Sequence, residues 1–300
     1  MIRNLSQVLE AVRAFKPKLV AVAVAQDDAV LEAVKGAKER GVADFLLVGD
    51  SAKIKAVGDR LGIDLGGLTL IHEPDDRQAA LHAVSLVSSG KADILMKGLL
   101  NTADLLRAVL DKQVGLRSGR LLSHVFVAEP KGYDRLIMVT DSAMNISPTL
   151  QQKAEILDNC LVLAARLGMN PVKVAAIAAV ETVNPDMPAT LDAAALAKMA
   201  DRGRWPGAIV DGPLALDNAI SVEAARHKGI ISPVAGAADI LLVPSIEAGN
   251  VLVKAMVYFA GAPVAGLVLG ATKPVVLTSR ADTFEAKILS IALAALLEKK

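Results

Sequence analysis

Three side chains close together near the end of the 300-residue chain carry complementary chemistry: the hydroxyl of Ser279, the guanidinium of Arg280 and the carboxylate of Asp282. A hydroxyl can donate to a developing oxyanion. A guanidinium can grip a phosphate through two parallel hydrogen bonds, and a carboxylate can accept a proton. The same letters have a plain structural meaning. "SRAD" has the spacing of a capping box ahead of the apolar stretch "TFEAKILSIALAALL", so that Ser279 caps a helix and Asp282 completes the box. Such a cap contributes about 1 kcal/mol. On either reading the segment marks a helix N-terminus, whose free N–H groups and positive dipole end suit an anion. The residues alone leave both readings open.

Other polar residues stand in the same relation to an apolar run. "ADILMKG" runs into Lys97, "RLIMVTD" into Asp141, and "GAIVDG" into Asp211; Glu181 follows "VKVAAIAA", and Glu247 follows "ADILLVP" with Asn250 close behind. Lys97 followed by Gly98 suggests a point charge beside a close backbone approach. In "MKGLLNTADLLRAVL", Asn101 or Thr102 can cap a helix, and Arg107 lies about one and a half turns along it. Each has an ordinary alternative. Acid-Gly and Gly-Asn pairs are common turn residues, and Arg107 by itself reads as a surface residue. Ser147 before Pro148 reads as an N-cap with proline at the first helical position. Cys160, on the apolar pattern "AEILDNCLVLAARLG", reads as packing.

Eleven short apolar runs alternate with amphipathic stretches such as "DAVLEAVKGAKERG". Near-continuous apolar strands imply burial on both faces, hence a largely parallel sheet layered between helices. Ligands in such α/β sheets bind beyond the carboxyl ends of the strands. That rule selects Lys97, Asp141, Glu181, Asp211, Glu247 and the Ser279–Arg280 pair. The length suggests about two domains.

Composition narrows the function. Apolar residues make up 53% of the chain and aromatics only 3%, and the net charge is +1. No global field recruits nucleic acid or an anionic membrane. A single cysteine cannot form an internal disulfide or a thiol-rich metal site, which fits a reducing cytoplasm. Glu10 and Arg13 fall where an export signal needs an apolar core. The uncharged run Ala255–Thr272 approaches the length of a membrane span, but Gly261, Pro263, Gly266 and Gly270 interrupt it. It reads as a helix end, a turn and a strand. The four histidines are scattered, so no metal site is expected. The G-x-G-x-x-G, Walker A and G-x-S-x-G patterns are absent.

Six phrases in order, "KGLLNTADLLRAVL", "TDSAMNISPTLQQKAEI", "VNPDMPATLDAAALAKM", "VDGPLALDNAISVEAARHKGI", "VAGAADILLVPSIEAGNVLVKAM" and "VLTSRADTFEAK", resemble the phosphate acetyl/butyryltransferase family. "NPDMPAT", "DGPLALDNA" and "TSRAD" are closest to its butyryl branch. The resemblance implies two α/β domains with largely parallel sheets and a cleft between them, similar to the isocitrate/isopropylmalate dehydrogenases. Residues 1–122 with 279–300 would form the first domain and 123–278 the second. It implies the reaction butyryl-CoA + phosphate ⇌ butyryl phosphate + CoA, by direct thiol attack without an acyl-enzyme. Acetyl or another short acyl group is the alternative.

By the same resemblance, Ser279 stabilises the tetrahedral species, while Arg280, Arg107 and Lys97 hold phosphate. Asn101, Thr102, Asp211, Glu247 and Asn250 are candidates for the cleft and for CoA. One departure concerns the base. The acetyl branch carries a carboxylate seven residues beyond the serine, where this chain has Ala286. Asp282 is the expected substitute, with Glu285 next. CoA would be a substrate, with no bound cofactor or metal, and the partners would be acyl-CoA, phosphate and acyl phosphate. No nucleic acid or membrane partner is expected, and the enzyme would be a cytoplasmic homo-oligomer. Two more distant readings are a metal- and NAD(P)-dependent decarboxylating dehydrogenase and a non-catalytic CoA or acyl-phosphate sensor.

Overall fold

Each of the eleven apolar runs contains a strand in the computed structural model, which describes residues 1–279 and 282–298. In chain order the first elements are α1 (Leu5–Arg13), β1 (Lys18–Ala23), α2 (Asp28–Glu39), β2 (Ala43–Gly49), α3 (Ser51–Leu61), β3 (Thr69–His72), α4 (Asp76–Ser88), β4 (Ile94–Lys97) and α5 (Thr102–Val109). There follow β5 (Ser123–Ala128), β6 (Ile137–Thr140), α6 (Leu150–Arg166), β7 (Val172–Ile177), α7 (Pro188–Asp201), β8 (Ala208–Leu214), α8 (Leu216–Ile220), α9 (Val222–His227), β9 (Ile240–Leu242) and α10 (Ile246–Tyr258). The last three are β10 (Val264–Leu269), β11 (Val275–Val276) and α11 (Phe284–Leu297).

The chain divides into two units. A terminal unit comprises Leu5–Arg120 and Ala265–Lys300, and a middle unit comprises Leu121–Val264 with Met1–Asn4. Where the sequence reading returned the chain to its first domain at Ser279, this division returns it at Ala265. The physical reason is pairing: β11 joins β4 in parallel and β10 in antiparallel, so both late strands belong with the N-terminal ones.

In the terminal unit the strand order is β3-β2-β1-β4-β11-β10. Pairing is parallel from β3 to β11. Every residue of β4 and of β10 is buried, whereas the edge strand β3 buries none. That contrast explains why the central strands read as unbroken apolar runs. The long apolar face of α11, from Ala286 through Leu296, is buried as well. Gly36 on α2 lets α11 approach: a Cβ there would lie 2.7 Å from Ile288 Cδ1 and 2.9 Å from the Phe284 ring. Aspartates cap three helices of this unit, Asp27 on α2, Asp50 on α3 and Asp75 on α4, each accepting backbone N–H bonds.

In the middle unit the order is β5-β6-β9-β7-β8, parallel from β6 to β8 with β5 antiparallel to β6. Ile137, Val139, Ala175, Leu241 and Val243 form part of its core. Thr149, rather than the expected Ser147, caps α6. Its hydroxyl accepts the Gln152 N–H while the Gln152 side chain accepts the Thr149 N–H, so two end-of-helix donors are satisfied reciprocally. Cys160 is buried on α6 with Sγ 4.0 Å from Met138 Sδ, and burial pushes its thiol pKa well up. The uncharged run Ala255–Thr272 forms the end of α10, a turn and β10. Among the described residues no helix is long and apolar enough to cross a membrane.

Candidate functional site

Three parallel neighbours in the terminal unit end on one edge. Ala23 of β1 pairs with Lys97 of β4, and Met96 of β4 pairs with Val276 of β11. Beyond these pairs lie the segments 24–27, 98–101, 277–279 and 282–283. Gly98 permits the first two to touch. A Cβ there would sit 2.1 Å from the Val24 carbonyl oxygen, and the Gly98 and Leu99 N–H groups donate to Ala23 O (2.8 Å) and Val24 O (2.7 Å). The close approach expected from "KG" is therefore present. Val24 itself adopts φ 60°, a left-handed conformation in which a β-branched residue is strained. Lys97 is 6% exposed, and its Nζ donates to the carbonyls of Gly98 and Leu100, both at 3.2 Å.

The Ser279 corner is built differently from the capping box that the spacing suggests. α11 begins at Phe284, and Thr283 is its cap, accepting the Ala286 N–H at 3.2 Å. The helix starts later than "SRAD" implies because Thr283 lies nearer the apolar face and satisfies the orphan donors first. Ser279 is exposed and its hydroxyl is not the cap of α11. Asp282 is half-buried and reaches back, its Oδ2 accepting the Ser279 N–H at 2.6 Å. The Asp282 N–H in turn donates to Ser279 O at 3.2 Å, closing a four-residue turn. Arg280 lies outside the described residues.

The next turn of α11 bears on one alternative and adds a residue. Glu285 forms a two-pronged ion pair with Arg40, with N···O distances of 2.6 and 2.9 Å. The Glu285 carboxylate raises the Arg40 pKa further. That engagement occupies both carboxylate oxygens of Glu285. Ala286 is buried in the first turn. Lys287, which sequence reasoning missed, is 2% exposed and donates Nζ–H bonds to the carbonyls of Ser279 (3.0 Å) and Asp282 (2.8 Å). Burial pushes its pKa down, while Asp282 and Asp27 oppose the shift. The available signal was a lone lysine in "AKILSIALAALL", where Ser290 is the one other polar residue.

The remaining candidates divide by unit. In the terminal unit, Asn101 caps α5 without a side-chain bond and Thr102 is its first residue, both exposed. Arg107 is exposed and ion-paired with Asp104 at 2.5 Å, three residues earlier on the same helix.

In the middle unit, Asp211 is half-buried and accepts its neighbour Gly212 N–H at 2.8 Å. Glu247 is exposed in the first turn of α10, where hydrogen bonds from its own backbone N–H and from Ser245 hold its carboxyl below the usual range. Asn250 is half-buried in the second turn. Glu181 accepts from Asn218 and Lys228, each at 3.4 Å. Asp141 is buried and accepts N–H bonds from Ala143 (2.9 Å), Met144 (3.0 Å) and Asn145 (3.3 Å). Among the described residues, no group of three or more His, Cys, Asp or Glu could hold a metal ion.

The sequence matches the family described as "Phosphate acetyl/butaryl transferase" over residues 4–80 and 75–295. The chain belongs to the phosphate acetyl/butyryltransferase family. It is 52% identical to the phosphate butyryltransferase of Clostridium acetobutylicum, over 99% of this chain and 98% of that one. It is 46% identical to the phosphate acetyltransferase of Thermotoga maritima, over 93% and 95% of the two chains. The crystal structure of a branched-chain phosphotransacylase from Enterococcus faecalis V583 superposes with a TM-score of 0.82 at 34% identity, covering 94% of this chain and 99% of that one.

Proposed function

We propose that this phosphate acyltransferase interconverts butyryl-CoA + phosphate and butyryl phosphate + CoA at the Ser279 corner. The observation that carries the reading is the built turn from Ser279 to Asp282. It leaves a parallel strand beside Lys97, enters the N-terminus of α11 and is held by a buried ammonium. A strand end that becomes a helix start offers N–H groups and a positive dipole to an anion. The butyryl assignment follows the phosphate butyryltransferase relatives. The proposal carries with it the two-domain organisation, similar to the isocitrate/isopropylmalate dehydrogenases, that the sequence resemblance implies.

In the direction that acylates CoA, the sulfur bonds the butyryl carbonyl carbon. The bond from that carbon to the bridging phosphate oxygen then breaks, and phosphate leaves with the electron pair. The Ser279 hydroxyl donates to the carbonyl oxygen as it becomes an oxyanion, where one well-placed donor is worth about 3 kcal/mol. Arg280 takes the phosphate through its planar fork. Lys97 adds positive charge nearby, and Arg107 would exchange Asp104 for the anion. A free thiol has a pKa of about 8.5, so its proton needs an acceptor at neutral pH. Asp282 supplies one: among the described residues no hydrogen bond reaches its Oδ1, since the Ser279 N–H uses Oδ2. The mechanism is a direct transfer, and CoA enters as substrate with Asn101, Thr102, Asp211, Glu247 and Asn250 as its candidate contacts. The cytoplasmic homo-oligomer expected from the sequence belongs to the same proposal; Tyr258 and Phe259, 66% and 93% exposed at the end of α10, support the oligomer.

The test is a panel of acetyl-, propionyl-, butyryl- and branched acyl-CoAs with phosphate, following thiol release. Butyryl-CoA should give the highest kcat/KM. A higher value with acetyl-CoA would move the chain to the acetyl specificity, and no phosphate-dependent thiol release with any acyl-CoA would overturn the reading.

A further inference from the structure

An ammonium is an unexpected occupant of Lys287's place. Its neighbours Ala286, Ile288 and Leu289 are buried, and through Leu296 the buried residues are apolar except for Ser290, whose hydroxyl is hydrogen-bonded. Burying a charge there is costly unless hydrogen bonds compensate. The compensation is specific. Nζ donates to two main-chain carbonyls, those of Ser279 and Asp282, which bracket Arg280 and close the turn together with the Asp282 N–H to Ser279 O bond. Carbonyls hydrogen-bonded to a cation make stronger contacts than neutral pairs. An apolar side chain would fill the same space without tying either carbonyl.

We infer that Lys287 is a positioning residue for the reaction, fixing through these two carbonyls where Ser279 meets the substrate. The inference rests on the Ser279 corner being the reacting site. Lys287 touches no reacting atom; it acts on the backbone of residues that do. Displacement of a reacting group by about 1 Å can cost on the order of 100-fold in rate. Asp27, which caps α2, adds a favourable charge to the ammonium alongside Asp282, so the end of β1 also bears on the turn.

The experiment uses the full-length enzyme and four variants: Lys287→Met, Lys287→Gln, Ser279→Ala and the double variant Ser279→Ala/Lys287→Met. Lys287→Met should lower kcat about 10- to 100-fold, leave KM for acyl-CoA within about twofold and retain cooperative thermal unfolding. Lys287→Gln, which can still donate to one carbonyl, should recover part of that loss. In the Ser279→Ala background, Lys287→Met should cost less than about fivefold more, because residues acting as a unit are non-additive.

A folded Lys287→Met enzyme with normal kcat, beside an impaired Ser279→Ala, overturns the role of Lys287 and spares the corner. So does a Lys287→Met loss that multiplies in full onto that of Ser279→Ala. Normal kcat in Ser279→Ala overturns the corner and this inference with it. If Lys287→Met does not fold, Lys287→Gln alone and combined with Ser279→Ala is read by the same criteria.

Discussion

At Asp141 in the middle unit and at Ser279 in the terminal unit, an apolar parallel strand gives way to a polar side chain. The Asp141 carboxylate is buried and spent on its own loop, accepting from three successive backbone N–H groups. Ser279 is exposed, and its turn is held by other residues, Asp282 from one side and Lys287 from the other. In one case the polar group is the fastener. In the other it is what is fastened. What holds each turn separates the two regions more clearly than residue type does.

Ser279→Ala is expected to have the largest effect. It should lower kcat by about 100-fold or more, since one oxyanion donor contributes about 3 kcal/mol. Its melting temperature should stay close to that of the parent, because Thr283 and not Ser279 caps α11. Steady-state kinetics and thermal unfolding on the same sample decide it. A normal kcat would place Ser279 with Asp141 as a structural exit.

Asp141→Ala tests the other side. It leaves three N–H groups without their acceptor in a half-buried loop, so stability should fall by about 1–2 kcal/mol. Turnover per folded molecule should remain within about threefold. Denaturant unfolding together with active-site-normalised kcat provides the check. A large loss of kcat at unchanged stability would make the middle-unit exit a reacting site as well.

Arg280→Lys sharpens the comparison within the corner itself. It keeps the charge and gives up the planar fork, so KM for phosphate should rise about tenfold while KM for acyl-CoA stays within about twofold. Equal rises in both constants would mean that Arg280 serves the acyl-CoA or the architecture instead of phosphate.

Much of the frame was legible in the sequence because the signals are local. Apolar runs of strand length located all eleven strands, and "KG" announced the close approach of Gly98 to Val24. The order of six phrases carried the family. The limits of local reading lie where several candidates compete within a few residues. The pattern put the caps at Ser279 and Ser147, whereas Thr283 and Thr149 hold them. Only the final packing of α11 and α6 selects which hydroxyl meets the free N–H groups.

Partners distant in sequence were beyond local reading altogether. Glu285 finds Arg40 across 245 positions, a pairing that no local pattern announces. Lys287 becomes meaningful only when α11 folds back so that its ammonium reaches two carbonyls of the preceding turn. The sequence by itself determined which residues make strands, which strands end in polar groups and which family the chain resembles, since these depend on patterns spanning a few to a dozen residues. Tertiary structure alone decided which of those polar groups are consumed by the fold and which are presented, because hydrogen-bond partners and burial are set by elements brought together from opposite ends of the chain.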